Sequence, residues 1–165
     1  MTPELMAPAV FSACGRYRYA LYRRVGLAQA ICLFILLNPS TADAIRDDAT
    51  VRRCIRFARE WGFGILVVAN LFALRSTDPR ALRILGIDPV GPDNDDWLIV
   101  TARKADRIVC GWGNGGRLFG RSENVKALLR GARVEGPLCL GLTGIGEPRH
   151  PLYLPKSRLP VGMAW

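Results

Sequence analysis

The chain has 165 residues, half of them apolar and 22% charged, the proportions of one folded domain rather than of a disordered segment. Its 23 lysines and arginines against 14 acidic residues give a formal charge of +9 and a pI near 10.0, which favours polyanionic partners, nucleic acid or nucleotide, held through their phosphates. No apolar run is long enough to span a bilayer and the first residues lack the basic start of a secretory signal, so a cytoplasmic setting without membrane contact is expected, and no obligate protein partner is evident.

Residues 1–10 carry little periodicity and are expected to be loosely attached, as are 156–165. From Arg16 to Arg24, basic and aromatic residues alternate at period two, the pattern of a half-exposed strand or hairpin at a sheet edge. Arg16 and Arg18 would there hold phosphates, although a charge-protected edge strand reads the same way. Only Lys104, Lys126 and Lys156 are lysines, so an arginine-rich genome composition is a second source of the excess charge.

Ile31 to Leu37 are continuously apolar and rich in branched side chains, as in a strand buried on both faces of a parallel sheet. Pro39 ends the run, having no N–H for a ladder, and holds Asn38 extended at the strand's carboxyl end. Asp43, Asp47, Asp48 and Thr50 then supply the chemistry of a helix N-terminus. Val51, Cys54, Ile55, Ala58 and Trp61 recur at helical spacing up to Gly62, a C-cap.

A second buried run, Ile65 to Ala69, ends at Asn70 and passes into a loop through Phe72 and Arg75. A short helix is predicted over Pro79 to Leu85, and a further helix capped by the run Asp93 to Asp96 and ending at Arg103-Lys104. Residues 107–110 form a third strand that enters Gly111-Trp112-Gly113-Asn114-Gly115-Gly116, where glycine permits close approach of backbone to ligand. That loop lacks the spacing of the Walker A or dinucleotide fingerprints, so no nucleotide cofactor is expected. Ser122 caps a helix closed by Gly131, and residues 137–142 make a fourth strand that leads to His150, the chain's one histidine.

The five cysteines have no paired C-x-x-C spacing. Cys32, Cys54, Cys110 and Cys139 fall in apolar patterns, as small core residues do, so neither disulfides nor a zinc site is expected. No dense carboxylate or histidine cluster suggests a metal either.

These elements predict one α/β domain, a three-layer sandwich whose central, mainly parallel sheet of four strands (31–37, 65–69, 107–110 and 137–142) is flanked by helices, with an N-terminal edge strand or hairpin. Right-handed crossovers bring the strand ends Asn38, Asn70, Gly111 to Gly116 and His150 to one rim, where open α/β sheets bind ligands. Pro39, Ser40, Asn70, Phe72, Gly111, Trp112, Gly113 and Pro151 are the candidate substrate contacts. Arg16, Arg18, Arg75 and Arg149 are the candidate nucleic-acid contacts.

Through FILLNPSTAD, DDATVRRCIRFAREWGFG, NLFALRSTDP, PVGPDND, GWG and GEPRHPLYL, the chain resembles, over about residues 16–155, a bacterial and phage family known only as a domain of unknown function. Its motif layout is more distantly similar to the uracil-DNA glycosylase superfamily. Asn38 and Pro39 match the Asn-Pro of the mismatch-specific branch, Asn70 matches the asparagine that reads the base edge, and His150-Pro151 match the start of the His-Pro-Ser motif. Ser40 stands where that branch has glycine, and Leu152-Tyr153 where Ser-Pro is usual. The iron-sulfur cysteines of some branches have no counterpart.

The second resemblance implies a glycosylase-like fold and hydrolysis of an N-glycosidic bond in nucleic acid or a nucleoside. That reaction develops positive charge on the sugar and negative charge on the departing base, so it needs a water-orienting group and donors for the base. Asn38 can orient water, but its neutral amide cannot take a proton. Asp43 or Asp48, or failing them Asp47, would supply the base, His150 would donate to the leaving group, and Asn70 would pair with the flipped base. The alternatives are a non-catalytic nucleic-acid-binding module on the same fold and a phosphate or nucleotide hydrolase of another mechanism.

Overall fold

The computed structural model describes residues 7–165. In chain order the elements are β1 (Ala9–Phe11), β2 (Arg18–Arg24), β3 (Ile31–Leu36), α1 (Ala49–Glu60), β4 (Ile65–Asn70), α2 (Asn94–Lys104), β5 (Arg107–Cys110), α3 (Arg121–Gly131), β6 (Pro137–Cys139) and β7 (Val161–Gly162). All seven strands form one mixed sheet, in the order β1-β2-β4-β3-β5-β6-β7. The sheet is therefore larger than the predicted four strands. Those four make its parallel interior, β4-β3-β5-β6, and antiparallel β1, β2 and β7 extend both edges.

Every residue of β3 is buried, because helices cover both faces of the sheet. Cys32, Phe34 and Leu36 pack with Val51, Cys54, Phe57 and Ala58 of α1. Leu33 and Ile35 pack on the other side with Leu98 and Ala102 of α2 and with Val125 and Leu129 of α3. The chain leaves β3 through α1 for β4 on one side, then crosses to β5 on the other. The gap between the carboxyl ends of β3 and β5 is therefore the topological switch point, where such sheets place their ligands.

Helix α1 is set by its ends. The Asp48 side chain accepts the Val51 N–H at 2.8 Å, and Gly62 at φ +84° turns the chain out of the helix without the strain a side chain would add. Trp61 stacks against Phe34 and Phe57 at centroid distances of 6.0 and 5.1 Å.

Strand β2 departs from the expected half-exposed edge. It lies between β1 and β4, and Tyr17, Arg18, Tyr19 and Tyr22 are all buried. The register runs Ala9 to Leu21, Val10 to Ala20 and then Phe11 to Arg18, so Tyr19 is an extra residue, a bulge. Tyr19 and Ala20 consequently both join the α2 side of the core. Arg18 turns to the α1 side, among Leu36, Val51 and Val68, the re-aiming for which bulges are used.

Several boundaries differ from those predicted. Residues 156–165 are not loose: β7 pairs with β6, Met163 donates its N–H to Pro137 at 3.0 Å, and Trp165 Nε1 donates to Val134 O at 2.6 Å. Of the stretch 1–10, residues 1–6 lie outside the described residues, while Ala9 and Val10 belong to the sheet. The helix after Asp78 is a 3-10 turn, Pro79–Arg83. Helix α3 is capped by Gly120 in a left-handed conformation rather than by Ser122, whose hydroxyl donates to Glu147. Strand β6 stops at Cys139 because Gly141, at φ +108°, bends the chain into a narrow loop that returns to the rim, with the Arg149 N–H on Gly141 O at 2.9 Å.

The four cysteines read as core residues are buried and unpaired, and burial pushes the Cys32 thiol up to about 12. Among the described residues, no helix is long and apolar enough to cross a membrane.

Candidate functional site

On the same rim, beside the ends of β3 and β4 rather than in the gap to β5, lies a cavity of about 40 Å³ walled by Arg18, Asn38, Ser40, Asp48, Asn70 and His150, with Pro39, Thr50 and apolar Leu36, Val51 and Val68 completing it. Five separate segments contribute: β2, the β3 end, the α1 N-terminus, the β4 end and the His150 loop. Asn38, Asn70 and His150, expected to converge, line this one space.

Each polar wall has a definite orientation. Asn38 Nδ2 donates to Ser76 O at 3.0 Å and Pro39 O at 3.2 Å, which leaves Oδ1 unengaged. Asp48 spends Oδ1 on the Val51 N–H; Oδ2 accepts nothing from the described residues. His150 Nδ1 accepts the Leu152 N–H at 3.3 Å, so in the neutral ring the proton sits on Nε2 and can be donated. Burial pulls the His150 pKa below its ordinary value, against a smaller upward pull from Asp48.

Asn70 is 1% exposed, and its Nδ2 is buried without a hydrogen-bond partner. The strand end carrying it is clamped from behind. Asn94 Nδ2 donates to Asn70 O and Leu71 O, at 3.0 Å each, and Arg121 Nε reaches Leu71 O at 2.7 Å while its other arm pairs with Asp95 at 2.6 Å.

Arg18 is 2% exposed. Its Nη1 donates to Ala42 O at 2.7 Å, but among the described residues Nε has no partner and no carboxylate bonds the guanidinium, Asp48 acting on it through space. Desolvation pushes its pKa down to about 10, leaving it charged at neutral pH.

These residues fall inside one recognised stretch. Residues 18–152 match the model of a family described as a protein of unknown function (DUF1643). The chain belongs to that family. No curated protein and no solved structure matches the chain.

His150 also lines a second, wider cleft of the DUF1643 domain, of about 270 Å³, together with Gly113, Asn114, Thr143, Arg149, Tyr153 and Leu154. Tyr153 is 82% exposed, its ring 5.5 Å from that of His150. The two spaces differ in what they hold. An enclosed water needs roughly 10–15 Å³, so the inner cavity takes about three water-sized groups, fewer than the atoms of a base ring. The outer cleft is close to the roughly 300 Å³ at which small-molecule sites begin.

Other candidates fall elsewhere. Asp43 lines neither space; its Oδ1 accepts the Ile45 and Arg46 N–H groups at 2.8 and 2.7 Å, a turn in which the carboxylate organises backbone. Phe72 is fully buried in the α2-side core. Trp112, 1% exposed, is a core pillar whose Nε1 donates to the buried Glu147 at 2.6 Å; it lines neither space. Gly111 and Pro151 pack together, a β-carbon on Gly111 coming within 3.0 Å of the proline ring. Arg16 is exposed away from both spaces, and Arg75 lies over the Phe11 ring at 4.7 Å.

Sequence reasoning missed Thr50 as a wall, Asn94 and Arg121 as the clamp on Asn70, and the buried role of Arg18. Asn94 sits in an acidic run that resembles helix-cap chemistry, and only β4 beside it reveals the use of its side chain.

Proposed function

We propose that this DUF1643 protein is a uracil-DNA glycosylase-like N-glycosidic hydrolase acting on a nucleobase in nucleic acid or a nucleoside, without a metal or other cofactor. The observation that carries the reading is the meeting of Asn38, Asp48, Asn70 and His150 in one cavity, with His150 shared by a neighbouring cleft of ligand size. The likeness in fold rests on the motif layout. Asn38-Pro39 end β3, Asn70 ends β4, and the chain beyond β6 leads to His150-Pro151, all on one rim.

The residue chemistry fits the charge changes of the reaction. The base lies in the outer cleft against Tyr153. Water attacks the anomeric carbon, and the glycosidic electron pair leaves with the base. Asn38 Oδ1 orients that water, and Asp48 Oδ2 takes its proton and faces the positive sugar. His150 Nε2–H donates to the departing base, in a neutral state favoured by burial. Asn70 offers a donor to an acceptor on the ligand.

The experiment is a screen of oligonucleotides carrying uracil, hypoxanthine or alkylated bases, and of the free nucleosides, scored for base release by wild type and by Asn38→Ala, Asp48→Asn and His150→Ala. Release by wild type and its loss in the three variants is the expected result. Full release by the Asp48→Asn and Asn38→Ala proteins would remove this cavity from the chemistry.

The second reading, a non-catalytic nucleic-acid-binding module, is favoured by the net charge of +9. It predicts salt-sensitive binding with no base released from any substrate.

A further inference from the structure

Two features of the inner cavity are left over by a hydrolase that needs only a water, a carboxylate and a histidine. The Arg18 guanidinium is buried with no carboxylate bonded to it among the described residues, Asp48 acting on it only through space across the cavity. Asn70 holds a buried amide donor with nothing to give it to. Thr50, in the first turn of α1, lines the same space, where the neighbouring Val51 N–H is already held by Asp48. A buried cation without a bonded carboxylate and a buried donor without an acceptor are each costly, and both costs fall if an anion with several acceptor oxygens sits between them.

We propose that this cavity is the subsite for a terminal phosphoryl group of a nucleotide, gripped by Arg18 and Asn70. The size allows it: about 40 Å³ gives about three water-sized positions at roughly 10–15 Å³ each, two for phosphoryl oxygens beside Arg18 and Asn70 and one for the water between Asn38 and Asp48. The donors support it as well. Among the described residues one of the five Arg18 N–H groups is used, on Ala42 O, and a guanidinium presents the rest in the fork that suits phosphate. Asp48, the one carboxylate in the wall, has Oδ1 tied to the helix backbone and is not ion-paired with Arg18, so the anion binds on the Arg18 and Asn70 side. Desolvation lowers the Arg18 pKa to about 10, which leaves the charge intact at neutral pH. The bulge at Tyr19 exists in this picture to aim Arg18 inward.

The nucleoside part of this ligand rests on reading the outer cleft as a base site; the phosphoryl subsite does not. Binding is measured by calorimetry at low salt for inorganic phosphate, a nucleoside 5′-monophosphate, the matching nucleoside, and one oligonucleotide with a 5′-phosphate or a 5′-hydroxyl. Wild type is expected to bind each phosphorylated member at least tenfold tighter than its unphosphorylated partner, and inorganic phosphate detectably. Arg18→Gln and Asn70→Asp should remove that preference, while Arg56→Gln, on the outer face of α1, retains it. Asn70→Asp is nearly isosteric and places an anion where the phosphoryl group should sit, so it decides the matter if Arg18→Gln fails to fold. A phosphate preference unchanged in Asn70→Asp, no preference in wild type, or equal binding of the two oligonucleotides would overturn the subsite. Phosphate binding lost in the variants without base release from any substrate would sink the hydrolase and leave the subsite standing. Base release undiminished in Asn70→Asp would do the reverse.

Discussion

Asn94 donates its side-chain amide to the main-chain carbonyl of Asn70 at 3.0 Å, so the first turn of α2 fixes the strand end from which Asn70 reaches the cavity. Both residues are buried, and the same amide holds Leu71 O. The position of the site residue is thus set by a helix on the opposite face of the sheet.

Asn94→Ala should therefore loosen the site from behind. It leaves buried carbonyls short of a donor, which costs about 1–3 kcal/mol. A urea titration should show a lower midpoint at an unchanged slope. Stability equal to wild type would mean that Arg121 alone suffices to hold the β4 end.

Asn38→Ala separates two roles. Loss of the bond to Ser76 O should lower stability by about 0.5–1.5 kcal/mol. If Asn38 also orients the water, base release should fall by about 100-fold or more with ligand affinity nearly unchanged, because that interaction matters in the transition state. A drop in affinity with turnover preserved would make Asn38 a binding residue instead.

Trp112→Phe tests the buried network at the glycine-rich loop. Trp112 Nε1 is one of the donors to the Glu147 carboxylate, at 2.6 Å, alongside Ser122 Oγ at 3.2 Å and Arg117. Removing a donor from a buried charge should cost about 1.5–3 kcal/mol, read as a lower urea midpoint. The cost should shrink markedly in a Trp112→Phe, Glu147→Gln double variant. Equal costs in the two backgrounds would show that the tryptophan acts by packing alone.

The half-buried histidine, His150, predicts a pH dependence. Its folded pKa lies below the ordinary value of 6.5, so the unfolded chain binds a proton that the folded state refuses. Stability should decline as pH falls through about 6.5 and level off below the folded value. His150→Asn should flatten that part of the profile. Parallel profiles for the two proteins between pH 7.5 and 5 would exclude His150 as the titrating group.

Nucleic-acid affinity, where it occurs, should fall steeply between about 50 and 200 mM salt, since arginine-phosphate contacts release counterions. Charge-neutralising variants of the exposed Arg16 and Arg149 should reduce the slope of log affinity against log salt. A flat salt response would identify the +9 charge as incidental to binding.

Much of the molecule was legible in the order of residues. The unbroken apolar runs at Ile31, Ile65 and Ile108, each followed or preceded by an amphipathic helix, dictate parallel strands buried on both faces. Parallel strands place all their carboxyl ends on one rim, which gathers Asn38 and Asn70, while His150 reaches it through the loop bent at Gly141. The start of α1 was legible in Asp43, Asp47, Asp48 and Thr50, though not that Asp48 is the cap. What only the tertiary structure decided was direction and pairing. The bulge at Tyr19 turns Arg18 inward, although period-two alternation placed it outside. Phe72 and Trp112 face the core, and Asp43 serves a turn. The antiparallel edges come from short segments, β1 and β7, too brief to show a period. The clamp on Asn70 joins residues 24 and 23 positions apart through Asn94, and 50 apart on Leu71 through Arg121. Local periodicity fixes which residues repeat on a face, but which face meets which partner is settled by register and by hydrogen bonds between distant segments, and these exist only once the chain has folded.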